Sequence, residues 1–356
     1  MPFRTRHAKR PYAGRVAREG GAARLSNDWR AWIAENLLRR VPRGELIAAL
    51  AENGVPRALA SREIETIARS PLLRGADRVA RLVRRHELVV RMKRALDGLA
   101  SSPKTVERRS NVPSEEFFDR YYAANVPLVV TDALDPWPAA QKWSPTDWKA
   151  RFGDLRVEST FGREADPIFE PNFKAHCRTT RMDELCDQIT TAGATNDLYL
   201  IANNHLGKRP GLEGLIDDIR APHPYLNDKR EGGTVSFWFG PAGTLTPLHH
   251  DTANVFFCQA YGRKRLLLFP SFELFLTHDP HHGVHSPIDA ENPDLDLYPD
   301  FAEAMRREVV LSPGEGLLIP VGWWHHVRAL DVSISVSFTN FKRSNRFPWY
   351  YPGLVR

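Results

Sequence analysis

Cysteine is scarce in this chain. Three cysteines occur among 356 residues, Cys177, Cys186 and Cys258, and no two of them form a Cys-x-x-Cys pair. Because three cysteines cannot all pair with one another, the sequence offers no disulfide framework. So few cysteines, without a disulfide framework, indicate a reducing compartment, and we expect a cytoplasmic protein.

Long apolar runs are also missing. No stretch approaches the roughly 20 apolar residues that a membrane-spanning helix needs. The first residues, Met1–Arg6, are not followed by the apolar segment of a secretory signal. The sequence therefore predicts a soluble protein without a membrane contact.

The charge is unevenly distributed along the chain. Residues 1–100, called the head below, contain 22 Lys and Arg against 10 Asp and Glu, whereas residues 101–356, the body, contain 27 against 33. A head of net charge +12 on a body of −6 indicates an anionic partner for the head, RNA included. The alternative is an arginine-rich helical face that only contacts solvent.

The head divides into an arm and a helical domain. Residues 1–24 have seven Lys and Arg and no periodicity, which predicts a flexible basic arm. Residues 25–100 predict a small all-α domain, with a first helix capped by Ser26 or Asn27. The other helices are expected at Arg43–Asn53, Ser61–Arg69 and Gly75–Leu99.

A composition shift marks the start of the body. Residues 101–105 read as a linker, because Ser101-Ser102-Pro103 separates the helical pattern from more acidic, β-type sequence. We expect the main domain at 106–341 and a C-terminal tail at 342–356, in which prolines exclude a helix.

The chemistry is concentrated in a His-x-Asp motif, His249-His250-Asp251. Residues two apart on a strand point to the same face, so His249 and Asp251 can present an imidazole and a carboxylate to one metal ion. A third ligand, His325, follows a strand-like run and a turn at Val321-Gly322. Two imidazoles and one carboxylate leave coordination positions open, as in non-haem Fe(II) oxygenases.

The sequence around the motif, from about Val106 to Phe341, resembles the Jumonji C (JmjC) group of 2-oxoglutarate-dependent oxygenases. The matching features are Trp238-Phe239-Gly240-Pro241, Thr246-Pro247-Leu248-His249-His250-Asp251, Gly262-Arg263-Lys264-Arg265, Ile319-Pro320 and Trp324-His325. The resemblance implies an all-β double-stranded β-helix, the jelly-roll or cupin fold, with flanking helices. It also implies Fe(II) held by His249, Asp251 and His325, with 2-oxoglutarate as cosubstrate and O2 as oxidant.

The resemblance also implies residues that bind 2-oxoglutarate. Lys264 matches the lysine that pairs with its carboxylate; alternation along Arg263–Phe269 places Lys264 on one face with Leu266 and Leu268. An unpaired buried lysine is costly, so such a lysine binds an anion or is neutral. Tyr199 and Thr246 match further carboxylate ligands.

Two more positions are predicted near the cosubstrate. Asn254 is one, although several relatives carry asparagine one position later, where this chain has Val255. The other is Ser337, which alternates with the apolar residues of Val332–Phe338; Asn340 replaces it only if a bulge changes the parity of the strand.

Two groups of histidines are predicted to lie outside the metal site. The stretch His278–His285 contains a proline and a glycine that leave no regular face, so we expect a structural or substrate-lining insert. His326 points away from His325 on an extended chain.

These features predict an Fe(II)- and 2-oxoglutarate-dependent dioxygenase that hydroxylates a side chain of a protein or peptide. Alternatives are hydroxylation of tRNA or of a small molecule, N-methyl-lysine demethylation, and a cupin that only binds. The intact ligand set with Lys264 argues against the last.

Overall fold

The computed structural model describes residues 17–19, 22–99, 105–170, 172–201, 210–219, 223–227, 235–273 and 284–347. Most of the predicted arm, the linker up to residue 104, the histidines at 278–282 and the tail beyond 347 lie outside these ranges. The chain forms two compact units, Met1–Leu99 and Ala100–Arg356, which are described separately.

The described part of the head unit contains a short hairpin and four helices. The strands are β1 (Ala17–Glu19) and β2 (Ala22–Arg24), and the helices are α1 (Asn27–Leu38), α2 (Arg43–Glu52), α3 (Arg57–Ala68) and α4 (Pro71–Leu99). The antiparallel hairpin lies where the sequence predicts a flexible arm. Helix α3 begins four residues earlier than predicted, directly after Pro56, which presets the backbone angle that precedes a helix.

The core of the head is formed by the first three helices. Ser26 caps α1 through its side chain, which accepts a hydrogen bond from the Trp29 amide (3.4 Å). Trp29 and Ile33 of α1 pack against Leu46 of α2 and Ile64 of α3, all of them buried.

Helix α4 departs from the bundle that the sequence predicts. None of its residues is buried, and Val79, Leu82 and Val89 are each more than half exposed. Leu73 in its first turn packs against the core of the head, whereas these apolar residues point outward. Most of the apolar residues of α4 therefore lie outside the core of the head.

The body unit has strands and flanking helices. Its strands are β3 (Glu107–Arg109), β4 (Leu128–Val130), β5 (Arg156–Phe161), β6 (Cys177–Arg181), β7 (Leu198–Tyr199), β8 (Val235–Gly240), β9 (Leu245–His250), β10 (Val255–Tyr261), β11 (Lys264–Phe269), β12 (Arg307–Leu311), β13 (Gly316–Ile319), β14 (Trp324–Ala329) and β15 (Ser333–Phe338). Its helices are α5 (Ser114–Glu116), α6 (Ala139–Lys142), α7 (Pro145–Phe152), α8 (Phe173–His176), α9 (Met182–Thr191) and α10 (Glu213–Asp217), with a π-helix at Phe117–Tyr122 and a 3-10 helix at Pro299–Glu303.

Two sheets form the double-stranded β-helix. In the described part of the body the larger sheet has the order β3-β4-β13-β10-β15-β8, and the smaller has the order β12-β11-β14-β9. Apolar side chains of both sheets, among them Phe257 of β10, Leu266 of β11 and Leu317 of β13, pack between them. The predicted cupin fold with flanking helices is confirmed.

The turn between the two sheets depends on a glycine. Gly262 joins β10 to β11 with a φ of 65°, and a Cβ at this position would lie 2.1 Å from the Val332 carbonyl oxygen. Only glycine fits this combination of backbone angle and close approach. The turn sends β11 into the second sheet, with Lys264 as its first residue.

The outer faces of both sheets are covered. Aromatic residues of the π-helix and of α7, such as Phe117 and Trp148, pack on the outer face of the larger sheet. Leu267 and Trp324 of the smaller sheet pack against Ile288 and Phe301. Among the described helices, none is long and apolar enough to cross a membrane.

Candidate metal centre and cosubstrate pocket

Two predicted metal ligands are direct neighbours across a pair of strands. In the antiparallel pair β9–β14, His249 lies opposite His325, and the centroids of their rings are 4.1 Å apart. Asp251 follows β9 directly, and its carboxylate lies 3.6 Å from Nε2 of His325. One potential ligand atom from each of the three residues lies within 4.8 Å of the others. The fold thus brings the three predicted ligands together.

Both imidazoles are prepared to bind a metal ion. Nδ1 of His249 lies 2.8 Å from the Pro247 carbonyl oxygen, and Nδ1 of His325 lies 3.0 Å from that of Trp323. Each carbonyl can only accept, so Nδ1 carries the proton and Nε2 keeps a free lone pair. Burial lowers the pKa of His249 to about 3 and that of His325 to about 4, so both rings are neutral at physiological pH.

This donor set fits Fe(II). Two neutral imidazoles and one carboxylate are a mixed nitrogen and oxygen set that suits Fe(II), and three protein ligands leave room for other ligands. Asp251 is partly exposed, with 42% of its side chain accessible, so the open side of the set faces solvent.

A bulge in β9 adds Thr246 to the same cavity. His325 pairs with His249 and Val327 pairs with Thr246, so one residue of β14 lies opposite two residues of β9, Pro247 and Leu248. Thr246 and His249 are three apart and would lie on opposite faces of a regular strand. The extra residue brings both side chains to the cavity, and Pro247 has no amide hydrogen to lose at the bulge.

Lys264 is buried beside Tyr199. Its ammonium donates a hydrogen bond to the Tyr199 hydroxyl (2.9 Å), and its Nζ lies 5.3–5.9 Å from the ring centroids of Tyr199, Trp238 and Phe257. No carboxylate of the described residues pairs with it, and burial lowers its pKa to about 7. A charged lysine buried without a carboxylate partner would be stabilised by an anion.

The position of Tyr199 depends on the close approach of its ring to the backbone of β8. A Cβ on Gly240 of β8 would lie 2.7 Å from the Tyr199 ring, so glycine is needed for the ring to lie against this strand. The Tyr199 side chain also hydrogen-bonds that of Thr246, and burial raises the pKa of its hydroxyl. Tyr199 therefore stays neutral and connects Thr246 to Lys264.

A cavity of about 190 Å³ joins these groups. It is lined by Tyr199, Ser236, Trp238, Thr246, His249, Asp251, Val255, Phe257, Ile319, His325, Val327, Ser337 and Thr339. Of the predicted residues, Tyr199, Thr246, Ser337 and the three metal ligands line it, and Lys264 reaches it through Tyr199. The strands of the larger sheet contribute the apolar Val255, Phe257 and Ile319 to its wall, together with the hydroxyl groups of Ser236 and Ser337.

Three polar residues of the cavity were missed by the sequence analysis. Ser236 and Trp238 alternate along β8, and Thr339 follows Ser337 by two residues. The indole of Trp238 donates a hydrogen bond to the Ser337 hydroxyl (3.3 Å). The same alternation that predicted Ser337 would have found them, had it been applied to β8 and extended beyond Phe338.

The structure directs Asn254 away from the cavity. This residue is fully buried, its side-chain amide donates to Oδ1 of Asn345 (3.0 Å), and its side-chain oxygen accepts from the Val321 amide (2.8 Å). The predicted cosubstrate role of Asn254 is therefore corrected, because Val255 faces the cavity and its neighbour must face the other way. The network also ties the start of the C-terminal tail to the body.

Asn340 does not replace Ser337. Its side chain donates to the Asn227 carbonyl (2.8 Å), and it is not among the residues that line the cavity. Strand β15 pairs with β8 in unbroken register from Ser333 to Phe338, so no bulge changes its parity before Ser337.

A buried ion pair behind Tyr199 was also missed. Arg163 is 1% exposed and donates to Glu170 (3.1 Å) and to the Leu245 carbonyl (2.9 Å), while its guanidinium lies over the rings of Phe169 and Tyr199. Burial lowers the pKa of Arg163 and raises that of Glu170. These residues follow β5 in a stretch without periodicity, so the sequence offered no signal for them.

The remaining histidines lie around the ligands. His285 forms a bridge with His249, and its ring stacks on that ring at 5.5 Å, next to the described end of the histidine-rich insert. His326 lies on the opposite face of β14 from His325, buried near Glu291. The opposite orientation of His325 and His326 follows the predicted alternation.

Comparisons with known proteins agree with this geometry. Residues 113–346 match the cupin-like domain family. Lysine-specific demethylase JMJ30 of Arabidopsis thaliana is 32% identical over 242 residues, which cover 66% of this chain and 54% of that protein. Lysine-specific demethylase 8 of Xenopus tropicalis is 32% identical over 235 residues, covering 63% of this chain and 50% of that protein.

A third relative carries a hydroxylase name. The human bifunctional peptidase and (3S)-lysyl hydroxylase JMJD7 is 26% identical over 250 residues, covering 62% of this chain and 79% of that protein. The chain spans about half the length of the two demethylases. Because the family match covers most of the chain and includes the cavity, this chain belongs to the cupin-like family in its JmjC group, whose members use Fe(II), 2-oxoglutarate and O2.

Proposed function

We propose that this protein is an Fe(II)- and 2-oxoglutarate-dependent dioxygenase that hydroxylates a side chain of a protein or peptide. One observation carries the proposal. His249, Asp251 and His325 line one cavity together with Tyr199, whose hydroxyl accepts a hydrogen bond from the buried Lys264. A non-catalytic barrel would have no use for a metal site and an anion receptor in one cavity.

His249, Asp251 and His325 would hold Fe(II) at the mouth of the cavity. Bound there, Fe(II) supplies the oxidation of an unactivated C–H bond, while 2-oxoglutarate is converted to succinate and carbon dioxide. The carbonyl groups of Pro247 and Trp323 fix both rings so that each Nε2 faces the metal position. This orientation is present before any metal binds, so little rearrangement is needed.

Lys264 and Tyr199 would bind the distal carboxylate of 2-oxoglutarate. The ammonium and the hydroxyl form a pair of donors in a site closed by Trp238 and Phe257, where a charge-assisted hydrogen bond is strong. Thr246 and Ser337 add hydroxyl groups along the path to the metal ligands. Arg163 and Glu170 lie behind Tyr199 and hold its ring in place.

The choice of a protein or peptide rests on the relatives. The names of these relatives describe lysine-specific demethylases and a lysyl hydroxylase. N-methyl-lysine demethylation is therefore the second candidate function, and both share the same metal and cosubstrate. Hydroxylation of tRNA or of a small molecule has no comparable support. A cytoplasmic site of action, predicted from the few cysteines, is part of the proposal.

Mass spectrometry separates the two functions. The protein is incubated with Fe(II), 2-oxoglutarate and a peptide library that contains lysine, methylated lysine and other side chains. Hydroxylation adds the mass of one oxygen atom, whereas demethylation removes the mass of one methylene group. The Asp251→Ala variant serves as the control, because it lacks one metal ligand. Loss of methylene without any gain of oxygen would replace the hydroxylase proposal by the demethylase.

A further inference from the structure

The described helices of the head line a second cavity, which is open to solvent and larger than that of the body. Its volume is about 650 Å³, and it lies where the end of α1, the start of α2, the end of α3 and the first turns of α4 meet. Cavities of several hundred Å³ are large enough to hold a ligand. Neither the metal site nor the cosubstrate pocket includes any residue of the head.

The walls of this cavity are strongly basic. Its charged lining residues are Arg40, Arg43, Arg74, Arg78, Arg81 and Asp77; Asp77 pairs with Arg40 and Arg81, and Arg43 pairs with Glu65 outside the lining. Like charges at this density repel one another unless an anion lies between them. The lining itself therefore favours an anionic ligand.

The cavity already holds one carboxylate among several guanidinium groups. Arg40 donates to both oxygens of Asp77 (2.8 and 3.1 Å), and Arg81 lies 3.1 Å from it. Arg84, just outside the lining, lies 3.5 Å away. Asp77 shows that an arginine from the turn after α1 and arginines of α4 reach a common carboxylate at this position, in the fork geometry that guanidinium groups offer.

Two arginines of the lining are not engaged with a carboxylate. Arg74 donates to the Arg69 carbonyl (3.1 Å), and Arg78 forms no hydrogen bond or ion pair with any described residue. They lie one helical turn apart on α4, so both guanidinium groups are directed to the same side of the helix. The guanidinium group of Arg78 and the remaining donors of Arg74 are available to an external anion.

The rest of the lining is aliphatic. Leu37, Leu38, Val41 and Leu73 contribute to it, and none of its described residues is aromatic. Proteins that bind single-stranded nucleic acid combine basic groups with aromatic rings on which bases stack. An aliphatic floor below arginine walls instead suits a peptide that carries acidic and aliphatic side chains together.

We propose that this cavity, Arg74 and Arg78 above all, is a docking site for an acidic segment of the protein substrate. Carboxylates of the segment pair with the two free guanidinium groups, and a neighbouring aliphatic side chain packs on Leu37, Leu38 and Leu73. This inference rests on the proposed function for the identity of the partner. Docking at the head would raise the local concentration of the substrate for the body of the same chain.

Fluorescence anisotropy with the full chain tests the docking site. The probe is a fluorescein-labelled peptide of alternating glutamate and leucine, and the assay contains no iron and no 2-oxoglutarate. Two matched peptides replace glutamate by glutamine or leucine by glycine, and a labelled single-stranded RNA has the same net charge. We expect the glutamate–leucine peptide to bind more tightly than all three, and added salt to weaken it.

Substitutions in the full chain test where the glutamate–leucine peptide binds. Arg74→Gln combined with Arg78→Gln should weaken the glutamate–leucine peptide roughly tenfold. The control combines Arg24→Gln with Arg57→Gln, which removes the same charge from residues outside the lining, and should leave the affinity nearly unchanged. Melting temperatures establish that both double variants are folded.

Three results would overturn the docking site. The first is an equal loss of peptide affinity in both double variants, which would indicate a diffuse basic face. The second is tighter binding of the RNA through Arg74 and Arg78, which would indicate a nucleic-acid site. The third is no binding of the glutamate–leucine peptide. Because the assay contains neither iron nor cosubstrate, each result leaves the oxygenase proposal to be decided by the peptide library.

Discussion

His249 and His325 face each other across the strands β9 and β14, with ring centroids 4.1 Å apart, although 75 positions separate them in the chain. Their distance is set by a strand register, which is among the most strongly determined features of a sheet with buried faces. Asp251 completes the set from the residue that follows β9. The metal centre thus depends on one pair of strands, and it can be tested one ligand at a time.

The first prediction concerns the ligands. Asp251→Ala or His325→Ala should abolish iron-dependent succinate formation, because the two ligands that remain hold Fe(II) poorly. His326→Ala is the matched control on the same strand: its ring faces away from the cavity, so turnover should persist at some cost in stability. Succinate formation and melting temperature are measured for all three. Equal loss of turnover in His325→Ala and His326→Ala would contradict the assigned ligand.

The second prediction concerns the cosubstrate. Lys264→Met preserves length and removes the charge, so the 2-oxoglutarate concentration needed for half-maximal turnover should rise strongly. A desolvated charge pair that loses one partner typically costs about 3–5 kcal/mol, or roughly two to four orders of magnitude in affinity. Arg263→Met is the control, because Arg263 is exposed and pairs with Asp331. An unchanged requirement in Lys264→Met would exclude Lys264 as the carboxylate partner.

The third prediction concerns pH. Burial lowers the pKa of Lys264 to about 7, so the lysine is charged below this pH and neutral above it when no anion is bound. The 2-oxoglutarate carboxylate favours the charged form, so its binding takes up a proton above pH 7. The dissociation constant of 2-oxoglutarate should be constant below about pH 7 and should rise above it. Calorimetry in buffers of different ionisation enthalpy measures the proton uptake. A dissociation constant that is constant up to pH 9, or that rises equally steeply in Lys264→Met, would contradict the assignment of this pH dependence to Lys264.

The fourth prediction separates Asn254 from the cosubstrate. Asn254→Ala removes the hydrogen bonds to Asn345 and Val321 in a fully buried position, so the free energy of unfolding should fall by about 1–3 kcal/mol. The dissociation constant of 2-oxoglutarate should stay close to that of the unaltered protein. Urea unfolding and cosubstrate titration are compared with those of Lys264→Met. A large rise in the dissociation constant without a loss of stability would restore Asn254 to the cavity.

Much of the site could be predicted because strands alternate. Lys264 shares its face with Leu266 and Leu268 in the space between the sheets, and Ser337 faces the cavity, as the period of two predicts. The metal ligands and Tyr199 followed from the resemblance to JmjC proteins. Both arguments work where a residue belongs to a regular strand.

The other features of the fold and the site depend on irregular backbone and on partners that are remote in sequence. The bulge at Pro247 brings Thr246 to the cavity against the regular period, so Thr246 was predicted from the resemblance and not from the alternation of the strand. Asn254 precedes β10, and Asn345, which determines its direction, lies 91 residues away. Likewise, the outward face of α4 could not be anticipated, because periodicity reports that a helix has an apolar face but not whether another element covers it.

The most direct test of the metal and cosubstrate assignment is an anaerobic titration that does not depend on turnover. The protein is mixed with Fe(II) in the absence of oxygen, 2-oxoglutarate is added stepwise, and the visible charge-transfer absorption of the chelated cosubstrate is recorded. We predict a saturable band in the unaltered protein, no band in Asp251→Ala, and a band that needs far more 2-oxoglutarate in Lys264→Met. A band of unchanged strength and midpoint in both variants would contradict the site built from His249, Asp251, His325 and Lys264.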